Sequence, residues 1–246
     1  PSTSDILAGN VSISRVRDVD PVDLLGHPPA RLDRAAIQGS IQGRRILVTG
    51  AAGSVGSELT RQIAGLEPEL LVLIDHAENA LFFLEAEIRA NFPDTHLVGL
   101  VADITDQVSI TQLMTYYRPQ MVFHAAAHKH VPLMEQSPAE AVKNNVGGTL
   151  SVARCAHEAG VETFVLVSTD KAVKPISVMG ATKRLTELIM QEMNGLGSTR
   201  FVAVRFGNVL GSNASVVPIF TQQIAMGGPV TVTHPDVQRY FMSVSE

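Results

Sequence analysis

Arg45-Ile46-Leu47-Val48-Thr49-Gly50-Ala51-Ala52-Gly53-Ser54-Val55-Gly56 sets an apolar run, a glycine-spaced turn and a helix start in direct succession. The run is short and lacks polar alternation, as a strand buried on both faces does. Its turn carries no bulky side chain, so the backbone can come close to a pyrophosphate. The helix that follows points free N–H groups and partial positive charge at the same place. Gly50, Gly53, Ser54, Val55 and Gly56 are therefore the expected phosphate cradle, with Gly53 and Gly56 supplying most of it. An ordinary glycine-rich turn is the plainer reading, but it does not require the strand before and the helix after.

Outward from this turn, strands and helices alternate. Residues 70–74, 97–101, 121–124, 164–168 and 201–204 are short apolar runs bounded by polar or turn residues and read as further strands, with helices at 54–64 and 79–91. Ser137-Pro138-Ala139-Glu140 predicts a helix start, with Ser137 as N-cap and Glu140 closing a capping box, and a helix running to about Ala159. Repeated β-α-β units predict an α/β fold with a doubly wound parallel sheet, and ligands in such sheets collect at the carboxyl ends of the strands. Residues 1–43 lack steady periodicity and are expected to form an arm or linker. Residues 44–207 are the expected dinucleotide-binding domain and 208–246 part of a substrate-binding region.

Composition narrows the functions. The 246 residues carry a formal charge of −5 and no run of Lys or Arg, which speaks against nucleic acid or an anionic membrane surface as partner. The single cysteine, Cys155, lies in an apolar helical pattern, so no disulfide framework is available and a reducing, cytoplasmic compartment is expected. No apolar run reaches the roughly 18 residues of a membrane span. The start at Pro1 and the stop after Val244-Ser245-Glu246 suggest a piece of a longer protein. A homo-oligomer is compatible with this composition but not specified by it.

The strand ends carry the candidate chemistry. Asp75 follows the glycine turn by about 20 residues, where a carboxylate accepts hydrogen bonds from an adenosine ribose and repels a 2′-phosphate; NAD is thus favoured over NADP as cofactor. Asp103 and Ile104 stand where an adenine ring can lie, a helix cap before Gln107 being the equal alternative for Asp103. Ala125, Ala126 and Ala127 form a small-residue run that lets a ring or ribose approach the backbone. Thr169 can donate to a sugar oxyanion, Asp170 can protonate a leaving hydroxyl, and Lys171 can remove a carbon-bound proton. Lysine in general holds its proton to a pKa of about 10.4, so a lysine base needs a closed, fairly dry site. Lys183, on the following helix, can reach a nicotinamide ribose, a solvated surface lysine being the alternative. Lys129 suits a substrate diphosphate as a point charge, and His130 can add a hydrogen bond. His124, His128 and His130 are not read as a metal centre, because His124 should point from a buried strand and no Cys or carboxylate lies at ligand spacing.

With the turn at 47–59, the motifs Ala127-His128-Lys129-His130-Val131-Pro132-Leu133-Met134-Glu135, Ser168-Thr169-Asp170-Lys171-Ala172, Met179-Gly180-Ala181-Thr182-Lys183 and Arg205-Phe206-Gly207-Asn208-Val209-Leu210-Gly211-Ser212 resemble the Rossmann-like extended short-chain dehydrogenases. More closely, the chain resembles the bacterial polysaccharide-biosynthesis proteins that act as UDP-N-acetylglucosamine 4,6-dehydratases. The resemblance implies a redox-neutral reaction on a UDP-sugar, in which hydride leaves C4 for NAD, water is lost across C5 and C6, and the hydride returns to C6. It implies Lys171 as the base at C5 and Asp170 as the acid at C6. It also implies Asn208 on the sugar-nucleotide phosphate, Val216 and Pro218 beside the uracil, and Arg239 on the diphosphate. Smaller members have a tyrosine four residues before the helix lysine, where this chain has Met179, as the large membrane-anchored members do. A thioether exchanges no proton, so Asp170, directly or through a water, is expected to take the C4 hydroxyl proton while Met179 packs. The likeness further implies a longer protein with transmembrane helices, working at the cytoplasmic face of the inner membrane. An epimerase or reductase on the same fold and a catalytically silent nucleotide-binding module stay open as alternatives; an acid adjoining a base at 170 and 171 favours dehydration.

Overall fold

The computed structural model describes residues 33–210, 216–232, 236 and 240–245, the side chain of Val217 excepted. The chain divides into two compact units, one spanning Arg31–Gly207 and the other including Asn208–Val244. In the first, six parallel strands, β1 (Arg45–Thr49), β2 (Leu70–Asp75), β3 (Leu97–Val101), β4 (Met121–His124), β5 (Thr163–Val167) and β6 (Arg200–Val204), lie in the order β3-β2-β1-β4-β5-β6. Helices α1 (Arg34–Ile41), α2 (Ser54–Ala64), α3 (Glu78–Asn91), α4 (Gln107–Tyr117), α5 (Val131–Gln136), α6 (Pro138–Ala141), α7 (Thr149–Glu158) and α8 (Val178–Met193) complete the unit.

Successive side chains of a strand point to opposite faces, and here both faces are covered. Leu47, Val72 and Ile74 enter a core with Ile110 of α4, Val152 of α7 and Met190 of α8, while Ile46, Val48, Leu71 and Leu73 enter another with Ile63 of α2 and Leu84 and Ile88 of α3. Each such buried aliphatic side chain contributes on the order of 2 kcal/mol of transfer free energy. Coverage on both sides is the physical reason that β1 and β2 are apolar along their length. The doubly wound parallel sheet expected from the sequence is thus the observed fold.

Three local expectations are corrected. Residues 34–41, read as part of an irregular arm, form α1, which Asp33 caps by accepting from the Ala36 N–H at 3.1 Å; only Ile41 is buried, so the helix leaves little apolar periodicity to read. The Ser137 side chain makes no cap hydrogen bond, although the helix expected after it does run unbroken over 138–158, with a π-helical segment, Val142–Gly148, between α6 and α7. Asp106, not Asp103, caps α4, accepting from the N–H groups of Val108 and Ser109.

The second unit, described by itself, pairs β7 (Asn208–Val209) in parallel with β8 (Phe241–Met242) and contains helix α9 (Val216–Ala225). Among the described residues no helix is long and apolar enough to cross a membrane.

Candidate active site

Strand order reverses between β1 and β4, which opens a crevice at their carboxyl ends. The two ends stay joined, since the Ala125 N–H donates to the Thr49 carbonyl at 3.0 Å. Gly50 has φ +66°, and a β-carbon there would fall 2.5 Å from Ala126 N and Cα; one on Gly56 would collide with the Gly50 carbonyl oxygen. Gly53 differs, for its added β-carbon would meet only that carbonyl, at 3.3 Å. Gly50 and Gly56 therefore carry the steric demand of the turn, a correction to the weight placed on Gly53. Ser54, Val55 and Gly56 form the first turn of α2, whose opening N–H groups have no intrahelical acceptor. The Asp75 carboxylate lies against this loop, 7 % exposed, accepting from the N–H groups of Ala52 and Ala77 at 2.9 Å each. A helix N-terminus with free N–H groups behind a turn that carries no side chain at 50 or 53, with a carboxylate beside it, fits an adenosine diphosphate.

Asp103 is exposed and accepts from both the N–H and the hydroxyl of Thr105 at 2.8 Å, the backbone bond above all holding its carboxyl below the ordinary range. Ile104 turns inward and is 6 % exposed, packed where a β-carbon on Gly148 would reach within 2.6 Å of its Cδ1.

His124 ends β4 without any exposure. Its Nδ1 lies 2.6 Å from Thr49 Oγ1 and its Nε2 3.0 Å from Thr149 Oγ1, so a neutral ring donates through one nitrogen and accepts through the other, bridging β1, β4 and α7. Burial, with the charge of Lys183, pushes the ring down to about 3 from the ordinary 6.5. Between these values the unfolded chain binds a proton that the fold refuses, so this stabilisation is complete above pH 6.5 and is lost as pH falls toward 3. Urea unfolding is expected to show about 2 kcal/mol less stability at pH 5 than at pH 7 from this group. His124→Gln should flatten that slope; an unchanged slope would assign it elsewhere. Glu187, held at about 2, acts in the same direction only below its ordinary 4.5.

At the end of β5 the chain tightens into a 3-10 turn, Asp170–Ala172, with Thr169 as its cap. Asp170 Oδ1 accepts from Thr169 Oγ1 at 2.9 Å and from Lys171 Nζ at 3.0 Å, and both charged side chains are about one-third exposed. Burial draws the Asp170 carboxyl upward, but the bonds from Lys171 and Thr169 and the lysine charge outweigh it and hold the carboxyl below its ordinary value. Helix α8 presses on this turn because residue 180 is glycine: a β-carbon there would stand 2.5 Å from the Lys171 carbonyl. Lys183 is 5 % exposed and donates to the Val167 carbonyl at 2.7 Å, so it is not a surface lysine. Burial pushes its ammonium down to about 8, with Glu187 opposing. Met179 is 4 % exposed and packs with Met134 and Ala141.

Asn145 was not singled out in the sequence. Fully buried in the π segment, it accepts from the His128 N–H at 2.8 Å and donates to the His128 carbonyl and to Thr182 Oγ1 at 3.1 and 3.0 Å. It thereby ties the loop after β4 to the helix of Lys183. The readable signal was an amide inside an apolar helical pattern, just before Gly147 and Gly148. Beyond that clamp, Lys129 and His130 are exposed, His130 preceding α5. Asn208 lies on β7 and Val216 and Pro218 in the first turn of α9, all in the second unit. Arg239, Gly211, Ser212 and residues 1–32 lie outside the described residues.

Residues 46–246 match the polysaccharide biosynthesis protein family. The chain is 50% identical over its full length to the probable polysaccharide biosynthesis protein EpsC of Bacillus subtilis, of which it covers 41%. It is 32% identical to the inverting UDP-N-acetylglucosamine 4,6-dehydratase of Campylobacter jejuni, over 83% of this chain and 61% of that one. UDP-glucose 4-epimerases from Rickettsia match at similar identity. Among solved structures, Pen from Bacillus thuringiensis superposes with a TM-score of 0.77 at 31% identity, over 83% of this chain and 64% of Pen. The chain thus spans about two fifths to three fifths of these relatives' lengths, and it belongs to the polysaccharide biosynthesis protein family, on the short-chain dehydrogenase fold shared by nucleotide-sugar dehydratases and epimerases.

Proposed function

We propose that the chain carries the cofactor cradle and proton-transfer groups of a nicotinamide-dependent UDP-N-acetylglucosamine 4,6-dehydratase serving bacterial surface polysaccharide synthesis. The observation that carries this reading is the hydrogen-bonded Asp170–Lys171 pair at the end of β5, beside buried Lys183, with an apolar thioether at Met179. Bound NAD supplies the hydride exchange at sugar C4 and C6. Asp170, held below its ordinary value, is an anion before the first step and so has a vacant proton seat. It takes the C4 hydroxyl proton, directly or through a water, and later gives it to the departing C6 hydroxyl. Lys171, its own ammonium proton first passed to solvent, removes the C5 proton, acidified by the C4 ketone, and returns it to C5 at the end, so that one water is the net loss. Thr169, whose hydroxyl donates to Asp170 in the resting arrangement, turns to the sugar C4 oxygen once that carboxyl is protonated. Lys183 holds the nicotinamide ribose and a positive charge behind it.

Asp75, charged and set against the glycine turn, favours NAD by repelling a 2′-phosphate, and Asp103 and Ala125–Ala127 border the adenosine and nicotinamide sides. Residues 44–207 serve the cofactor and 208–246 the sugar nucleotide, with Asn208 and Arg239 at its phosphates, Val216 and Pro218 at the uracil, and Lys129 and His130 adding contacts. The same reading assigns the protein to the cytoplasmic face of the inner membrane. Incubating the protein with UDP-N-acetylglucosamine and reading the product by mass spectrometry tests the reaction. A product lighter by one water is expected. Turnover to a product of unchanged mass would replace this reading with 4-epimerisation, which the relatives named UDP-glucose 4-epimerase favour. Nucleotide released on denaturation is expected to be NAD; NADP would overturn the role given to Asp75.

A further inference from the structure

Glu187 takes no part in the proton path above, yet its surroundings are the most elaborate polar cluster around α8. It lies one helical turn beyond Lys183 and is 4 % exposed. Its Oε1 accepts from Ser168 Oγ and from Arg205 Nε, each at 2.7 Å, and its Oε2 from Arg205 Nη2 at 2.6 Å and Arg184 Nη1 at 2.9 Å. The two-pronged arginine contact fixes the plane of the carboxylate. Ser168 immediately precedes Thr169, and Arg205 immediately follows β6. One side chain therefore ties the helix of Lys183 to the ends of β5 and β6.

We propose that Glu187 is a positioning residue of this site, which holds the Thr169–Lys171 turn against α8 and supplies the negative charge that balances the Lys183 ammonium beside the nicotinamide ribose. The role presupposes a nicotinamide dinucleotide in the cradle. Stability alone does not explain the cluster, because the Arg184 and Arg205 side chains are about two-fifths exposed and ion pairs to such partners contribute little. The charged or titratable groups on the elements around Lys183 are Arg184 and Glu187 on its own helix, His124 at the end of β4, Asp170 and Lys171 on the turn, and Arg205 after β6; His124 and Glu187 are the ones coupled to it electrostatically. Glu135, at the end of α5, is engaged by the Val178 N–H at the start of α8. Glu187 is the group whose charge raises the proton affinity of Lys183 against the effect of burial. Removing it would leave two guanidinium groups in its place.

The test is a titration of lysines labelled with carbon-13 at Cε, the Lys183 resonance being assigned with Lys183→Arg. Glu187→Gln is expected to lower the Lys183 midpoint by about one pH unit, and Arg205→Met to leave it unchanged or raise it, because the two substitutions remove charges of opposite sign. In the Gln variant NAD binding should weaken about fivefold at pH 8 and recover toward pH 6, as Lys183 regains its proton. Equal weakening in both variants at every pH, with the midpoint unmoved, would reduce Glu187 to a packing role and overturn the proposal. Should the Gln variant fail to fold, Glu187→Gln combined with Arg205→Met removes the pair together, and its midpoint is expected below that of Arg205→Met alone. A protein that leaves UDP-N-acetylglucosamine unchanged would sink the dehydratase reading, while the lysine titration would still decide the role of Glu187.

Discussion

Asp170→Asn and Lys171→Ala are each expected to lower turnover of UDP-N-acetylglucosamine by about 10³-fold while leaving NAD retention within about twofold. The size follows from what each group moves. Without an anionic carboxylate the C4 hydroxyl proton has no acceptor, because the thioether of Met179 cannot replace it. Without the amine the C5 proton stays in place and elimination stops at the ketone. The two losses should combine to much less than their product, since both residues serve one proton cycle. Neither effect comes through unfolding: the pair is about one-third exposed on both sides, and such ion pairs contribute about 1 kcal/mol or less. Thermal unfolding of the variants checks this directly. Asp170, whose folded pKa is depressed, stays an anion through the ordinary carboxyl range, so protonation of this carboxylate does not limit the wild-type rate there. Variants as active as the wild type would leave a catalytically silent nucleotide-binding module as the reading.

The sequence disclosed what depends on neighbours in the chain and concealed what depends on distant partners. Strands β1, β2 and β4 were legible because short apolar runs stop at Thr49, Asp75 and His124, the polar residues that end these strands. The glycine turn was legible for the same reason. Which glycine matters most was not, because the demand on Gly50 comes from Ala126, far along the chain and beside it only once β1 and β4 pair. Lys183 resembled any helix lysine until β5 supplied the Val167 carbonyl and covered it. Asn145 and Glu187 show the same limit, since an amide and a carboxylate on helices are ordinary until the His128 backbone, Thr182, Ser168 and Arg205 converge on them. The π segment was hidden too, for its helix pattern continues across Val142–Gly148 and only the altered hydrogen bonding marks it.

Gly50→Ala should destabilise the fold by about 3 kcal/mol or more and abolish NAD retention. Two penalties coincide. At φ +66° a β-carbon strains the residue's own backbone, by roughly 1–2 kcal/mol. The same carbon would stand 2.5 Å from Ala126 N and Cα and 2.8 Å from Ala125 C, all main-chain atoms. Relief would require β1 and β4 to separate, against the bond from the Ala125 N–H to the Thr49 carbonyl and the buried bridge of His124 between Thr49 and Thr149. Gly53→Ala provides the contrast. Its φ of −70° suits any residue, and the added carbon meets only the Gly50 carbonyl at 3.3 Å, so stability should change by about 1 kcal/mol or less. Gly53 immediately precedes the free N–H groups that open α2, where a pyrophosphate would approach, and NAD affinity should fall more than about tenfold. Urea unfolding and NAD binding, measured on both variants, thus separate the glycine the fold needs from the glycine the ligand needs. A Gly50→Ala protein as stable as the wild type would mean that the two strand ends are not held as close as this geometry requires.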